Sequence, residues 1–197
     1  MFRLLQAIHR RYRKTCDVAG YMIALPFIAL GWVSDRLKGE ITQPSIVISR
    51  IPFYIGETAR GFYYKALLLS LGTNVTFKYG AFCQYRKARI GNRVLIGYFN
   101  TIGEVSIGDN VLIGGNVNLL SGLNQHAFDD PNKLIMDTPA KGRRMITIGS
   151  DVWIGSNSVI GCDIGDRCVI AAGSVVVKEI EPHVLAGGNP AKLLKKI

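Results

Sequence analysis

Residues 90–119 read IGNRVLIGYFNTIGEVSIGDNVLIGGNVNL. An aliphatic residue followed by glycine starts at Ile90, Ile96, Ile102, Ile107 and Ile113, resumes at Ile148, Ile154, Ile160 and Ile164, and is extended by Ile170 and Val176. Most steps are six residues. A six-residue period matches neither the 3.6 of a helix nor a long strict alternation, which leaves short strands separated by turns. The aliphatic residue of each hexad points inward and stacks on its equivalents, and that stack is the core. A second inward position, held by Val111, Val117, Val152, Ser158 and Cys168, is small enough for a narrow interior. The tripeptides GDN, GSN and GDR read as corners, because glycine accepts a positive φ and Asp and Asn bond locally to the backbone. The frame slips to five residues between Ile102 and Ile107 and to four between Ile160 and Ile164, so two corners must be tightened.

Outward from this pattern, the repeat breaks for about 34 residues between Ile113 and Ile148. Long loops in compact domains are functional or disordered. This one, SGLNQHAFDDPNKLIMDTPAKGRR at residues 121–144, carries His126. An imidazole with an ordinary pKa near 6.5 suits a general base that takes a hydroxyl proton as the oxygen attacks. The plainer alternative is a surface histidine without a role. Asp129 and Asp130 are in reach by sequence to orient it, although acidic loop residues are commonly just solvated. His9, in a basic stretch, and His183, in a turn, read as solvated.

With the hexads, the break and its histidine in view, the chain resembles the hexapeptide-repeat acyltransferases, specifically the sugar and xenobiotic O-acetyltransferase branch, over roughly residues 73–192. The resemblance implies a mainly β fold: a left-handed parallel β-helix with three hexads per triangular coil, an N-terminal helical segment and an extruded catalytic loop. It implies acetyl-CoA as co-substrate, no metal, and a homotrimer with the site between neighbouring prisms. IGGNVNLLSGLNQH places His126 where the family keeps its catalytic base. GYFNT makes Asn100 the candidate for acceptor binding, against an equally weighted reading as a turn residue. DVWIGSN sets Trp153 beside the acetyl-CoA channel and Ser156 beside the pantetheine arm, though a tryptophan there also reads as core. IAAGSVVVKEI puts Ala172 and Gly173 along that arm and offers Lys178 to the cofactor's phosphates. GGNPAKLLKK brings Lys192 and Lys195 to the 3′-phosphate and adenine end, or forms a solvated tail.

At 197 residues the chain holds one domain and an appendage. Three parts are expected: a basic and apolar helical segment at 1–72, the β-helix at 73–188 with its loop at 121–145, and a basic tail at 189–197. Four cysteines without C-x-x-C spacing suggest a reducing cytoplasm and no cysteine zinc site. The net charge of +10 calls for an anionic partner. The cations gather at the two ends with no nucleic-acid motif, so nucleic acid is set aside. Residues 18–33, VAGYMIALPFIALGWV, are uncharged but slightly short of the roughly 20 needed to span a bilayer, and Pro26 interrupts them. They read either as a peripheral anchor at the inner face of the plasma membrane or as a helix packed on the domain's base. QPSIVISRIP reads as a loop or short strand. GETARGFYYKALLLSLG reads as a helix ending at Gly72, whose Phe62, Ala66, Leu69 and neighbouring apolar residues close the open end of the β-helix. The function expected is acetyl transfer to a sugar or polysaccharide-precursor hydroxyl in bacterial surface polysaccharide biosynthesis. The alternatives are N-acetylation of an amino sugar, acetylation of a small xenobiotic, and a non-catalytic scaffold.

Overall fold

The computed structural model describes residues 2–123, 126–127, 130, 132–138 and 141–197. Strands of mostly two or three residues stack in parallel register into three faces. The first face holds Ser70–Leu71, Arg89–Ile90, Val105–Ile107 and Ile146–Ile148. The second holds Thr76–Phe77, Leu95–Ile96, Leu112–Ile113, Trp153–Ile154, Val169–Ile170 and Val184–Gly188, with Ala191–Lys196 antiparallel at its edge. The third holds Phe82–Cys83, Thr101–Ile102, Asn118–Leu119, Val159–Ile160 and Val175–Val176. Each of the first four coils thus lays one strand on each face, and the first face continues through single bridges at Ile164 and Ile180, making a parallel β-helix of triangular section. Every repeat aliphatic from Ile90 to Val176 named above is 3% exposed or less. Burying each such side chain contributes about 1.5–3 kcal/mol relative to leaving it in water.

The glycine after each of these residues up to Ile164 serves close packing rather than positive φ. A Cβ on Gly114 would stand 2.6 Å from the backbone nitrogen of Ser156, and one on Gly165 would stand 2.6 Å from that of Pro182, in the next coil. The corner conformation belongs instead to the third residue of each tripeptide: Asn110, Asn157 and Arg167 all have φ between 54° and 62°.

Within a coil the step is always six residues, as in Ile90–Ile96–Ile102 or Ile164–Ile170–Val176. All irregularity falls at the third corner, between the third face and the first face of the next coil. Cys83 to Ile90 takes seven residues, Ile102 to Ile107 five, Ile160 to Ile164 and Val176 to Ile180 four, and Leu119 to Ile148 twenty-nine. The other two corners explain the difference. The first is turned by a left-handed residue at Asn74, Arg93, Asn110, Asp151, Arg167 and His183, and the second by one at Gly80, Phe99, Asn116, Asn157 and Gly173. Among the described residues the third has only Gly122 and Gly142, both inside the long loop. Unbound by that turn, it accepts variable lengths. At the four-residue corner the missing length is bridged by Asp163, whose Oδ1 accepts the Thr147 N–H at 2.8 Å.

Three helices precede the coils: α1 (Phe2–Lys38), α2 (Thr42–Ser49) and α3 (Phe53–Leu67). The stretch expected as a loop or strand is therefore α2, with Pro44 tolerated because the first turn lacks intrahelical donors to lose. α3 does cap the open end, but it stops at Leu67, and Leu71–Gly72 is already the first aliphatic–glycine pair of the wall. Its capping face is Ala59, Tyr63, Tyr64 and Leu67, all fully buried, whereas Phe62, Ala66 and Leu69 point outward. The tyrosines win the inner side because each hydroxyl finds a partner there. Tyr64 accepts the Cys83 N–H at 3.0 Å, and Tyr63 shares a 3.1 Å hydrogen bond with Ser45. Arg60, 1% exposed, donates to the carbonyls of Phe77 at 3.0 Å, Ile51 at 2.9 Å and Ser49 at 3.3 Å. It thereby ties α2, α3 and the first coil together, and burial lowers its pKa. Residues 189–197 are not a loose tail: Ala191–Lys196 folds back on Val184–Gly188.

Candidate active site

His126 is exposed and lies in the loop that leaves the wall at the third corner. Asp129, considered for orienting it, lies outside the described residues. Asp130 is exposed and pairs with Lys133 at 3.6 Å. Both ends of the loop are fixed to the wall. At its start Ser121, 3% exposed, accepts the Glu104 N–H at 2.8 Å, and its carbonyl accepts the Arg144 N–H at 2.9 Å. At its end Arg143 donates to Glu104 at 2.8 Å and lies 4.2 Å over the Tyr85 ring, while Arg144 pairs with Asp163. The bond to Glu104 is the main cause that raises the Arg143 pKa. Leu123 then seats on Gly161, where any Cβ would overlap its side chain. Thr138 donates to the Ala127 carbonyl at 2.7 Å, folding the loop's middle back beside the histidine. A charge-assisted bond with a 6%-exposed carboxylate is among the stronger restraints available to a loop. Sequence reasoning overlooked this clamp, yet Glu104 sits inside the five-residue slip, and that irregularity was the available signal.

The remaining candidates fall on distinct parts of the prism. Trp153 is outward on the second face, 55% exposed, between Leu112 and Val169 in register. It is surface, not core. A groove of about 240 Å³ beside it is lined by Asn110, Leu112, Asp151, Arg167, Val169 and Ile197. Ser156, Ala172 and Gly173 are exposed together at the second corner, where the Gly173 N–H reaches the Ser156 carbonyl at 2.8 Å and nothing stands within 4 Å of a Cβ on Gly173. Lys178 is exposed at the third corner, between Val176 and Ile180.

Lys192 pairs with Gly187 and Lys195 with Leu185, with the register shifting between Leu185 and Ala186. Three residues apart, they would face opposite sides of a regular strand; the bulge restores them to one side, that of Leu185, Val169 and Trp153. A low wall at the second corner, an exposed indole and two lysines on one outer face suit an extended thioester cofactor that ends in phosphates.

Asn100 is placed differently from the acceptor-binding reading. It is fully buried in the inward column of Ala81, Val117, Ser158 and Ser174. Its Nδ2 donates to the Gly114 carbonyl at 2.8 Å and its Oδ1 accepts the Val117 N–H at 2.6 Å. The geometry supports the turn-and-wall role. Among the cysteines, burial raises the pKa of Cys83, Cys162 and Cys168, which disfavours their thiolates. Among the described residues, no three His, Cys, Asp or Glu side chains gather as a metal set.

These parts belong to different corners and faces of the prism. His126 and Lys178 sit at the third corner, Ser156 and Gly173 at the second, and Trp153 with the two lysines on the second face. Comparison with known proteins bears on this surface. The hexapeptide repeat of succinyl-transferase matches residues 87–121 and 145–178, so the unmatched gap is the loop. Galactoside O-acetyltransferase of Escherichia coli strain K12 is 38% identical over 145 residues, covering 68% of this chain and 66% of that protein. The chain spans about two thirds or less of the curated relatives it matches. The crystal structure of a maltose O-acetyltransferase from Clostridium difficile 630 superposes with a TM-score of 0.64 at 28% identity, covering 77% of this chain and 82% of that one. A hexapeptide-repeat-containing acetyltransferase from Vibrio cholerae, solved with acetyl-CoA, superposes with a TM-score of 0.58 at 28% identity, covering 85% and 87%.

Proposed function

The chain belongs to the left-handed β-helix family of hexapeptide-repeat acyltransferases, and within it we propose that the protein moves the acetyl group of acetyl-CoA to a hydroxyl of a sugar or polysaccharide precursor. The observation that carries this is His126: exposed, and on a loop clamped at both ends. Sugar specificity is supported by the relatives named for galactoside and maltose O-acetylation. His126 acts as general base. As the acceptor oxygen attacks the thioester carbonyl, its proton passes to the imidazole; the C–S bond then breaks, and the leaving thiolate takes the proton back. Trp153, Ser156, Ala172, Gly173, Lys178, Lys192 and Lys195 hold the cofactor. The two halves meet between copies, so the working unit is a homotrimer in which the His126 loop of one chain faces the second-face wall of the next. Four unpaired cysteines are compatible with a cytoplasmic setting, where acetyl-CoA is available and the sugars of surface polysaccharides are prepared.

The test is CoA-thiol release by wild type and His126→Ala over sugars, an amino sugar and a small xenobiotic alcohol. Release is expected with a sugar hydroxyl, lowered by about 10²- to 10⁴-fold in the variant with acetyl-CoA affinity unchanged. Near-normal turnover in a folded variant removes the general base, and turnover confined to the amino sugar or the xenobiotic removes the sugar-hydroxyl assignment.

A further inference from the structure

α1 is apolar on two opposite sides, and the rest of the protein covers only one of them. Cys16, Gly20, Ala24 and Gly31 recur at helical spacing on the inner side and pack against α3. On the other side Val18, Met22, Leu25, Ala29 and Val33 form a second stripe, all exposed. It runs for about 22 Å at 1.5 Å per residue. The same outer face continues into Arg11 and Lys14 before the stripe and Arg36 after it, all exposed. α1 carries seven Lys and Arg against two acids. Both acids are turned toward the protein: Asp17 accepts from Tyr54, and Asp35 pairs with Arg86 at 2.7 Å.

We propose that this face of α1 lies in the plane of an anionic phospholipid surface, with the stripe at the boundary between headgroups and acyl chains and the flanking cations on lipid phosphates. Charge complementarity selects that occupant. In an isologous pairing, a second copy would set Arg11, Lys14 and Arg36 against the same cations with no carboxylate on the face to receive them. An anionic bilayer supplies both the apolar depth and the opposite charge.

The helix is long and apolar enough to cross a bilayer by composition, the most apolar 18-residue stretch within His9–Lys38 averaging a hydropathy of 1.6. Its attachments rule out that orientation for the folded protein. Arg13 donates to Tyr54 at 3.2 Å, Thr58 donates to the Cys16 carbonyl at 3.1 Å, and Arg86 stacks 3.6 Å from Trp32. Fixed from residue 13 to residue 35 along α3 and the first coil, α1 cannot stand across a membrane without pulling the cap off the β-helix. This inference is independent of the catalytic assignment.

Co-sedimentation of the full chain with vesicles of phosphatidylcholine alone, and of phosphatidylcholine mixed with phosphatidylglycerol, tests it. Binding is expected to the mixed vesicles, to weaken about fivefold for each of Arg11→Gln and Lys14→Gln, and to be released by alkaline carbonate. Leu25→Glu should abolish binding while circular dichroism and light-scattering mass stay as in the wild type. Failure of the wild type to sediment with mixed vesicles overturns the proposal. So does Leu25→Glu lowering the mass with vesicle binding intact, which would make the stripe an interface between copies. Retention through carbonate overturns the in-plane orientation in favour of a span.

Discussion

Gly114 and Gly115 are neighbours in sequence with opposite constraints. A Cβ on Gly114 meets the backbone of Ser156 at 2.6 Å, whereas one on Gly115 meets nothing nearer than 3.5 Å. Gly114→Ala is therefore expected to destabilise by about 1–3 kcal/mol, the usual cost of overpacking against atoms that cannot yield. Gly115→Ala should fall within about 0.5 kcal/mol of wild type. Urea midpoints measured side by side check both. The same slot arithmetic explains Asn100 and Trp153. Asn100 stands four residues after Ile96, as Val117 stands after Ile113 and Ser158 after Ile154, and all three are inward. Trp153 stands immediately before Ile154, and strand alternation sends it outward. Both orientations were legible in the repeat.

Elements are where local pattern stopped being sufficient. α3 offers aromatic and apolar residues on more than one side, and the choice of Tyr63 and Tyr64 over Phe62 rests on the Cys83 N–H and Ser45 hydroxyl that the first coil and α2 present. Arg60 belongs to the same junction. Arg60→Ala leaves the carbonyls of Phe77, Ile51 and Ser49 without their buried donor, and a loss of about 2–4 kcal/mol is expected by thermal or urea unfolding. An unchanged midpoint would show that water reaches those carbonyls. At the other end, Lys192→Ala and Lys195→Ala should each weaken CoA more than dephospho-CoA, by about two- to fivefold and less so in high salt, as suits exposed charges. Equal losses for both ligands, measured by calorimetry, would remove the 3′-phosphate assignment.

At the scale of the whole molecule, the loop that carries His126 leaves the prism at the third corner, whereas Trp153 lies on the second face, opposite that corner. The proposed homotrimer would make that separation useful, and it predicts a light-scattering mass three times that of the 21.6 kDa chain in an active preparation. Mixing His126→Ala with Trp153→Ala chains, denatured and refolded together, should restore part of the activity that each lacks alone, because some clefts then join two intact halves. An active monomer would exclude the shared site.

The amino-acid sequence by itself determined the wall: the period, the inward and outward slots, the crowded glycines and the break that carries His126. These follow because each coil repeats the same short-range alternation, so side-chain direction depends only on position within the hexad. The tertiary structure alone decided which side of α3 caps the prism, which carboxylate clamps the loop, and that the slips and the loop share one corner. It also decided, through a bulge, that Lys192 and Lys195 join the face of Trp153. None of these is periodic. Each depends on a partner distant in the chain whose hydrogen-bonding group or open surface exists only after the coils have stacked.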